Sequence, residues 1–239
     1  MRIAVVSDIH GNLTAFEAVL ADLRRTSPDL ILHGGDLAHG GASPVDIVDR
    51  IRDLGWQGVV GNVDEMLFNP GSLTEFASQS PHLKSLFAAI EEMAAATCDA
   101  LGAERLAWLS GLPRIQTHSP MALVHASPES AWNSPAHTAS DAELELVYGV
   151  LDQPIAVYAH IHVPFLRTVA GLTIINTGSV GLPYDGDRRA AYLLLDDATP
   201  TIRRVEYDVD RELKALSDCD MPHAGWIAKM LESASPQMP

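Results

Sequence analysis

Short apolar runs alternate with longer amphipathic stretches at the start of the chain. Residues 2–6 (RIAVV) predict a buried strand. In residues 12–25, Leu13, Phe16, Val19, Leu20 and Leu23 recur at helical spacing and share one face. DLILH (29–33) predicts the next strand. SPVDIVDRIRDLG (43–55) predicts a helix with Ser43 as N-cap, Pro44 in the first turn and Gly55 as the stop. WQGVV (56–60) predicts a third strand. This β-α-β-α-β order implies a parallel sheet core.

Residues 65–112 are rich in Ala, Leu and Glu and carry no strand pattern, which predicts a helical insertion, a cap beside the site. Strands resume at 121–126, 154–160, 172–176, 190–197 and 200–209 with little helix between them, so this half is expected to be antiparallel or mixed. In the last run Ile202, Val205 and Tyr207 mix with Arg203, Arg204 and Glu206, which suits a strand exposed on one face. Residues 210–232 predict one or two helices, and ESASPQMP predicts a frayed end. No repeat or linker interrupts the chain. The expectation is one domain, 1–239, with a helical insertion at 65–112 and a C-terminal helical tail at 210–239.

Composition narrows the classes. A hydrophobic fraction of 47% in 239 residues suffices for a buried core, and a net charge of −15 argues against non-specific nucleic-acid binding. Cys98 and Cys219 lie far apart without a C-x-x-C, so neither a disulfide framework nor a thiolate metal site is expected. The apolar run at the N-terminus is too short for a signal peptide, and no apolar stretch approaches a membrane span. A soluble cytoplasmic protein with no membrane partner is expected. Nothing speaks to oligomeric state.

The chemistry lies where the apolar runs end. Ser7, Asp8 and His10 follow the first strand, Gly34, Gly35 and Asp36 the second, and Gly61 and Asn62 the third. His125 follows MALV, and His160 and His162 follow PIAVYA. In an open α/β sheet, sites form in the crevice outside the carboxyl ends of the strands. Imidazole, carboxylate and amide oxygens there suit Mn²⁺, Fe, Zn²⁺, Co²⁺ or Ni²⁺ without selecting strongly among them. One carboxylate, Asp36, could bridge two ions roughly 3.5–4 Å apart. Such a pair clamps a phosphoryl group and acidifies a bridging water, the nucleophile. Gly34, Gly35 and Gly61 would allow sharp turns and close backbone approach. His82, His118, His137 and His223 are read as surface or loop residues.

These residues resemble the calcineurin-like metallophosphoesterase superfamily, in order, over about residues 2–209. SDIHGN (7–12) matches its D-x-H motif, GGDLAHGGASP (34–44) its G-D motif, and VHASP (124–128) its single-histidine motif. GNVD (61–64) matches G-N-H-D imperfectly, and AHIH (159–162) matches G-H-x-H with Ala159 in place of glycine. INTGSVGLPYDGDRRAAYLLLD (175–196) resembles the N-x-G-S-V-G segment of a bacterial predicted-phosphodiesterase branch. The resemblance implies an α/β fold (α+β in some schemes), a four-layer α-β-β-α sandwich of two mixed sheets flanked by helices.

Carried over, the resemblance gives one metal Asp8, His10, Asp36 and His162, and the other Asp36, Asn62, His125 and His160. Asp8, Asp36, Asn62 and His125 also stand as catalytic residues. It implies two divalent transition-metal ions, Mn²⁺ foremost, and a phosphate-ester or nucleotide-type substrate. The expected activity is hydrolysis of phosphodiesters by a metal-bridging water. A phosphomonoesterase, a dinucleoside polyphosphate hydrolase, or a non-catalytic scaffold of the same fold are the alternatives. Val63 departs from the pattern, because most members have there a histidine that contacts phosphate and can protonate the leaving group. Its loss implies a bias towards good leaving groups or another donor. His39 is the candidate donor, though an ordinary loop role is favoured. Asp64 is expected to serve only as a helix cap. Weaker substrate candidates are Asn12, which would alternatively cap the first helix, and Arg188 with Arg189. Gly178 and Ser179 would shape the site.

Overall fold

The structure, a computed structural model, describes residues 1–239. In chain order its elements are β1 (Arg2–Val6), α1 (Leu13–Thr26), β2 (Leu30–His33), α2 (Pro44–Leu54), β3 (Gln57–Gly58), α3 (Asn62–Phe68), α4 (Pro70–Ser78), α5 (Lys84–Ser110), β4 (Ile115–His118) and β5 (Met121–Val124). There follow α6 (Asp141–Tyr148), β6 (Ile155–Tyr158), β7 (Phe165–Val169), β8 (Leu172–Asn176), β9 (Ala190–Asp196), β10 (Thr199–Val205), α7 (Val209–Asp218) and α8 (Ala224–Ser233).

The strands form two five-stranded mixed sheets, ordered β10-β9-β1-β2-β3 and β4-β5-β6-β8-β7. The β1–β2–β3 pairs are parallel, as the alternating pattern implies, and β9 runs antiparallel to β1. Alternate side chains of each central strand serve different layers. Ile3 and Val5 of β1, Leu193 and Leu195 of β9, and Ile155 and Val157 of β6 meet in one cluster between the sheets. Ala4 and Val6 of β1 face a second cluster with Phe16, Val19 and Leu20 of α1 and Ile47, Val48 and Ile51 of α2. Ala156 and Tyr158 of β6 face a third with Leu144 and Tyr148 of α6. Both faces of both sheets are thus covered, which gives the α-β-β-α order. It also explains why the central strands read as unbroken apolar runs.

Some boundaries and elements differ from expectation. The third strand shrinks to Gln57–Gly58 because Val60 turns away, its N–H donating to the Pro113 carbonyl (2.9 Å). β10 stops at Val205, and Asp208 caps α7 by accepting from the Arg211 N–H. Ser43 sits at the N-cap of α2, but its side chain makes no capping bond. The β4, β7 and α6 elements were not expected: the two strands are half-exposed edges with no apolar run, and α6 is a short acidic helix. His118 consequently lies on β4, not on a loop. His82 and His137 are exposed, and His223 pairs with Glu92. No helix is long and apolar enough to cross a membrane, and both cysteines are unpaired.

His33, at the end of β2, is fully buried and neither ring nitrogen has a partner. Burial pushes its pKa down to about 3. An unfolded chain would take up the proton near pH 6.5, so His33 lowers stability as the pH falls from about 6.5 towards 3, and not above that window. Replacing His33 with Leu is expected to stabilise the fold by about 1–3 kcal/mol, the usual cost of a buried unsatisfied group. Urea unfolding should show the advantage of His33→Leu growing by roughly 1.4 kcal/mol per pH unit below 6.5. A gap that does not widen with acidity would contradict this account.

Candidate metal centre

Five strand ends converge on one point. Asp8 and His10 follow β1, Asp36 follows β2, Asn62 opens α3 behind β3, His125 follows β5, and His160 and His162 follow β6. Asp8, His10, Asp36, His160 and His162 adopt φ of 51°, 49°, 54°, 69° and 56°. That left-handed conformation costs a residue with a Cβ roughly 1–2 kcal/mol, and such strain gathers at functional sites. The turns are locked together by main-chain bonds: Asp8 N–H to Gly35 O and His10 N–H to Asp36 O (both 3.0 Å), and Gly181 N–H to Asp8 O (2.9 Å). Glycine is required at position 61, where a Cβ would stand 2.0 Å from Asp36 Oδ1.

The side chains make two groups that share Asp36. Asp8, His10, Asp36 and His162 form one; Asp36, His125 and His160 form the other; within each, the donor atoms lie within 4.8 Å of one another. In the first, His10 Nε2 lies 3.2 Å from His162 Nε2, and His162 Nε2 lies 3.3 Å from Asp8 Oδ1. In the second, His125 Nε2 lies 3.4 Å from Asp36 Oδ2. Asn62 Oδ1 stands beside that group, 3.0 Å from His125 Nε2 and 2.9 Å from His160 Nδ1. All seven residues named from the sequence are therefore brought together in one place.

The donor chemistry fits divalent cations. His10 Nδ1 lies 2.8 Å from the His39 carbonyl, His125 Nδ1 2.7 Å from that of Gly34, and His162 Nδ1 2.6 Å from that of Leu182. A carbonyl only accepts, so each Nδ1 carries the proton and each Nε2 is left to the centre. The His10 and His162 lone pairs then face each other 3.2 Å apart, an arrangement that calls for a positive charge.

Electrostatics agree. Burial opposes ionisation of Asp8 and Asp36, but His162 beside Asp8 and His125, His10 and His160 around Asp36 outweigh it, and both carboxyls are held below their ordinary range. Burial also opposes charge on His125, yet Asp36 chiefly raises it to about 9. Burial and the charge of His125 push His160 down to about 4; burial and His162 lower His10. Two anions thus face a His125 held in its charged form, while charge on His10 and His160 is disfavoured.

The second layer holds residues that the sequence reading underestimated. Asp64 does more than cap α3. Its buried carboxylate accepts from the N–H groups of Asp36 (2.7 Å), Leu37 (3.0 Å) and Gly61 (3.2 Å), so it fixes the turn that presents Asp36. Burial and the charge of Asp36 raise its pKa to about 6. Val63 contributes through its backbone, N–H to Asp36 Oδ1 at 3.1 Å. Ser7 donates to Asp8 Oδ2 (2.7 Å), and the Tyr184 ring stacks on His162 at 4.5 Å. The Ser179 hydroxyl donates to the Asp8 carbonyl (2.7 Å), and Gly178 takes φ 72° where a Cβ would meet Ala191 and Pro164.

The substrate candidates divide. Asn12 caps α1 by accepting from the Ala15 N–H (2.9 Å), and its amide donates to the Gly181 carbonyl (3.0 Å), so both ends are engaged. His39 is buried with Nδ1 unpartnered, and burial, then His10, lowers its pKa to about 3. Arg188 is exposed at a separate cleft beside Tyr207, and Arg189 pairs with Asp187.

A family model described as the calcineurin-like phosphoesterase superfamily domain matches residues 1–199. The uncharacterized protein MJ0912 of Methanocaldococcus jannaschii is 31% identical over 252 residues, covering 96% of each chain. The crystal structure of a metallophosphoesterase from Sphaerobacter thermophilus is 28% identical, covers 98% of this chain and 100% of its own, and superposes with a TM-score of 0.79. The hypothetical protein PH1004 from Pyrococcus horikoshii OT3 shares the fold, with a TM-score of 0.82 at 18% identity over 99% of both chains.

Metal uptake at neutral pH should displace the His125 proton, releasing about one proton per chain. Calorimetric titration with Mn²⁺ in buffers of different ionisation enthalpy measures it. Affinity should fall as the pH is lowered below about 9, because protons compete for the same nitrogen. Asp36→Asn should lose both ions and His160→Ala only one, read by metal content after dialysis.

Proposed function

The chain belongs to the calcineurin-like phosphoesterase superfamily, and from that premise we propose that it is a dinuclear-metal phosphodiesterase. The observation that carries this reading is the pair of donor groups joined by a single carboxylate, Asp36. The first ion would be held by Asp8, His10, Asp36 and His162, and the second by Asp36, Asn62, His125 and His160. Two bound divalent cations would supply Lewis-acid charge to the phosphoryl oxygens and an acidified water.

The chain's own residues set the geometry. The carbonyls of residues 34, 39 and 182 orient three imidazoles with Nε2 inward, while Asp64 and the Val63 N–H fix Asp36. Charge favours a diester. The ion pairs of Asp8 and Asp36 are with histidines alone, and no arginine or lysine adds a positive charge to them. A phosphomonoester brings about −1.5 to −2 at neutral pH; a diester brings a single negative charge and needs less compensation. The side chain of Val63 offers no proton to the departing oxygen. The P–O ester bond therefore breaks with the leaving group departing as its anion and taking its proton from solvent. This supports selection for good leaving groups.

After chelation and addition of Mn²⁺, a chromogenic phosphodiester should be hydrolysed faster than the matching monoester, and His160→Ala should lose the diester activity. Monoester preference would move the assignment to a phosphatase. Absence of both turnover and metal uptake would restore the scaffold alternative. Across a series of aryl esters the rate should fall steeply as the leaving-group pKa rises. Val63→His should flatten that slope, with gains of about 10²-fold on the poorest leaving groups if a full general acid is restored. His39→Ala should leave the slope unchanged, since its imidazole is buried and hard to protonate.

A further inference from the structure

The two donor groups lean on different parts of the chain. The side-chain hydrogen bonds of Asn62, His125 and His160 run to Gly34 and to one another. None of them reaches α7 or α8, which lie beyond the residues 1–199 matched by the family model. Both histidines of the first group, His10 and His162, are instead backed by segments that α8 holds in place.

His162 shows the arrangement most fully. Its Nδ1–H donates to the Leu182 carbonyl (2.6 Å). That bond selects the tautomer, but the angular tolerance at a carbonyl is broad, so the ring plane is fixed only loosely. Tyr184 fixes the plane: its ring lies over the imidazole with centroids 4.5 Å apart and planes 20° apart. Tyr184 is itself held from two sides. Its N–H donates to the His162 carbonyl (3.1 Å), and its hydroxyl donates to Met230 Sδ on α8 (3.5 Å). Two residues on, the Gly186 N–H donates to the carbonyl of Ala234 at the end of α8 (3.0 Å). Two residues before, Leu182 packs with Ile227, Met230 and Leu231 of α8 and with Leu216 of α7. Residues 182–186 are thus a strap seated on α8, with His162 on its other side.

The same helix reaches His10. A Cβ built on Gly40 would lie 3.7 Å from His10 Nδ1 and 3.8 Å from Ile227 Cδ1. Ile227 therefore stands against the turn whose His39 carbonyl, 2.8 Å from His10 Nδ1, orients that ring. The helix pair is anchored in turn to α1, where the Thr14 N–H donates to Glu212 Oε2 of α7 (3.3 Å).

We infer that α8 sets the affinity of the first ion alone, and that Tyr184 is the positioning residue through which it aims His162 Nε2. The inference rests on the two-ion reading above and adds an inequality to it. The second group is complete at the strand ends, whereas the first depends on a helix from the far end of the chain.

The probe is Mn²⁺, added to chelated protein and followed by calorimetry. His160→Ala should retain only the first ion and His162→Ala only the second, so each background reads one site. Tyr184→Leu keeps apolar bulk and removes the flat ring. It should weaken Mn²⁺ binding about ten-fold or more in the His160→Ala background, the usual cost of losing a group that orients a ligand. In the His162→Ala background it should leave the affinity unchanged. Tyr184→Phe keeps the stack and should restore the first site. Ile227→Ala, on α8 itself, should weaken the first site to a lesser degree and spare the second, and it carries the test if Tyr184→Leu does not fold. Equal weakening of both sites, no weakening of the first in the variants that fold, or a loss that Tyr184→Phe does not repair overturns the inference and leaves the two-ion reading intact. A wild type that takes up no Mn²⁺ refutes the two-ion reading, and the inference falls with it.

Discussion

Two carboxylates, Asp8 and Asp36, are buried within one polar centre, and much of the rest of the molecule answers that constraint. Each would be neutralised by burial alone. They stay charged because imidazoles from separate strand ends surround them, and because Ser7, the Val63 N–H and the turn held by Asp64 satisfy their remaining lone pairs. The negative charge of the centre is therefore built in by the scaffold. A cation completes it.

Holding those groups in place demands strained backbone. Five of the seven clustered residues sit in the left-handed region, a total cost of several kcal/mol. Such a cost persists only where surrounding structure over-determines the conformation. Here the apolar layer between the sheets, and the main-chain bonds that link the turn after β1 both to the turn after β2 and to residues 180 and 181, provide that. The rigid core and the strained rim form one device: each strand carries its load at its carboxyl end, where the sheet gives way to a turn.

The sequence made the framework legible where burial is complete. Central strands covered on both faces read as continuous apolar runs, and α1 and α2 read from spacing and stop signals. Edge elements were missed because half-exposed strands such as IQTH and FLRTV lack a run, and α6 is too short and acidic to show a stripe. The ligand set was visible because the residues fall just after strands, and position along the chain reports position in the sheet. What could not be read was second-layer function. Asp64 resembles any capping carboxylate until the folded chain shows it gripping the Asp36 turn. Val63 looked like a loss, yet its backbone N–H, which any residue but proline would supply, retains a role.

The main-chain carbonyls that fix three of the histidine rings have a bearing on how such a site drifts through time. A tautomer set by a side-chain partner is lost when that partner mutates. One set by the carbonyls of His39 and Leu182 is indifferent to the identity of those residues, provided the chain keeps its path. Selection on proton placement in the rings therefore falls on backbone shape, and at positions 39 and 182 that role puts no demand on the side chain, which answers only to its own packing. Long divergence in sequence and fidelity in chemistry are compatible here for that reason.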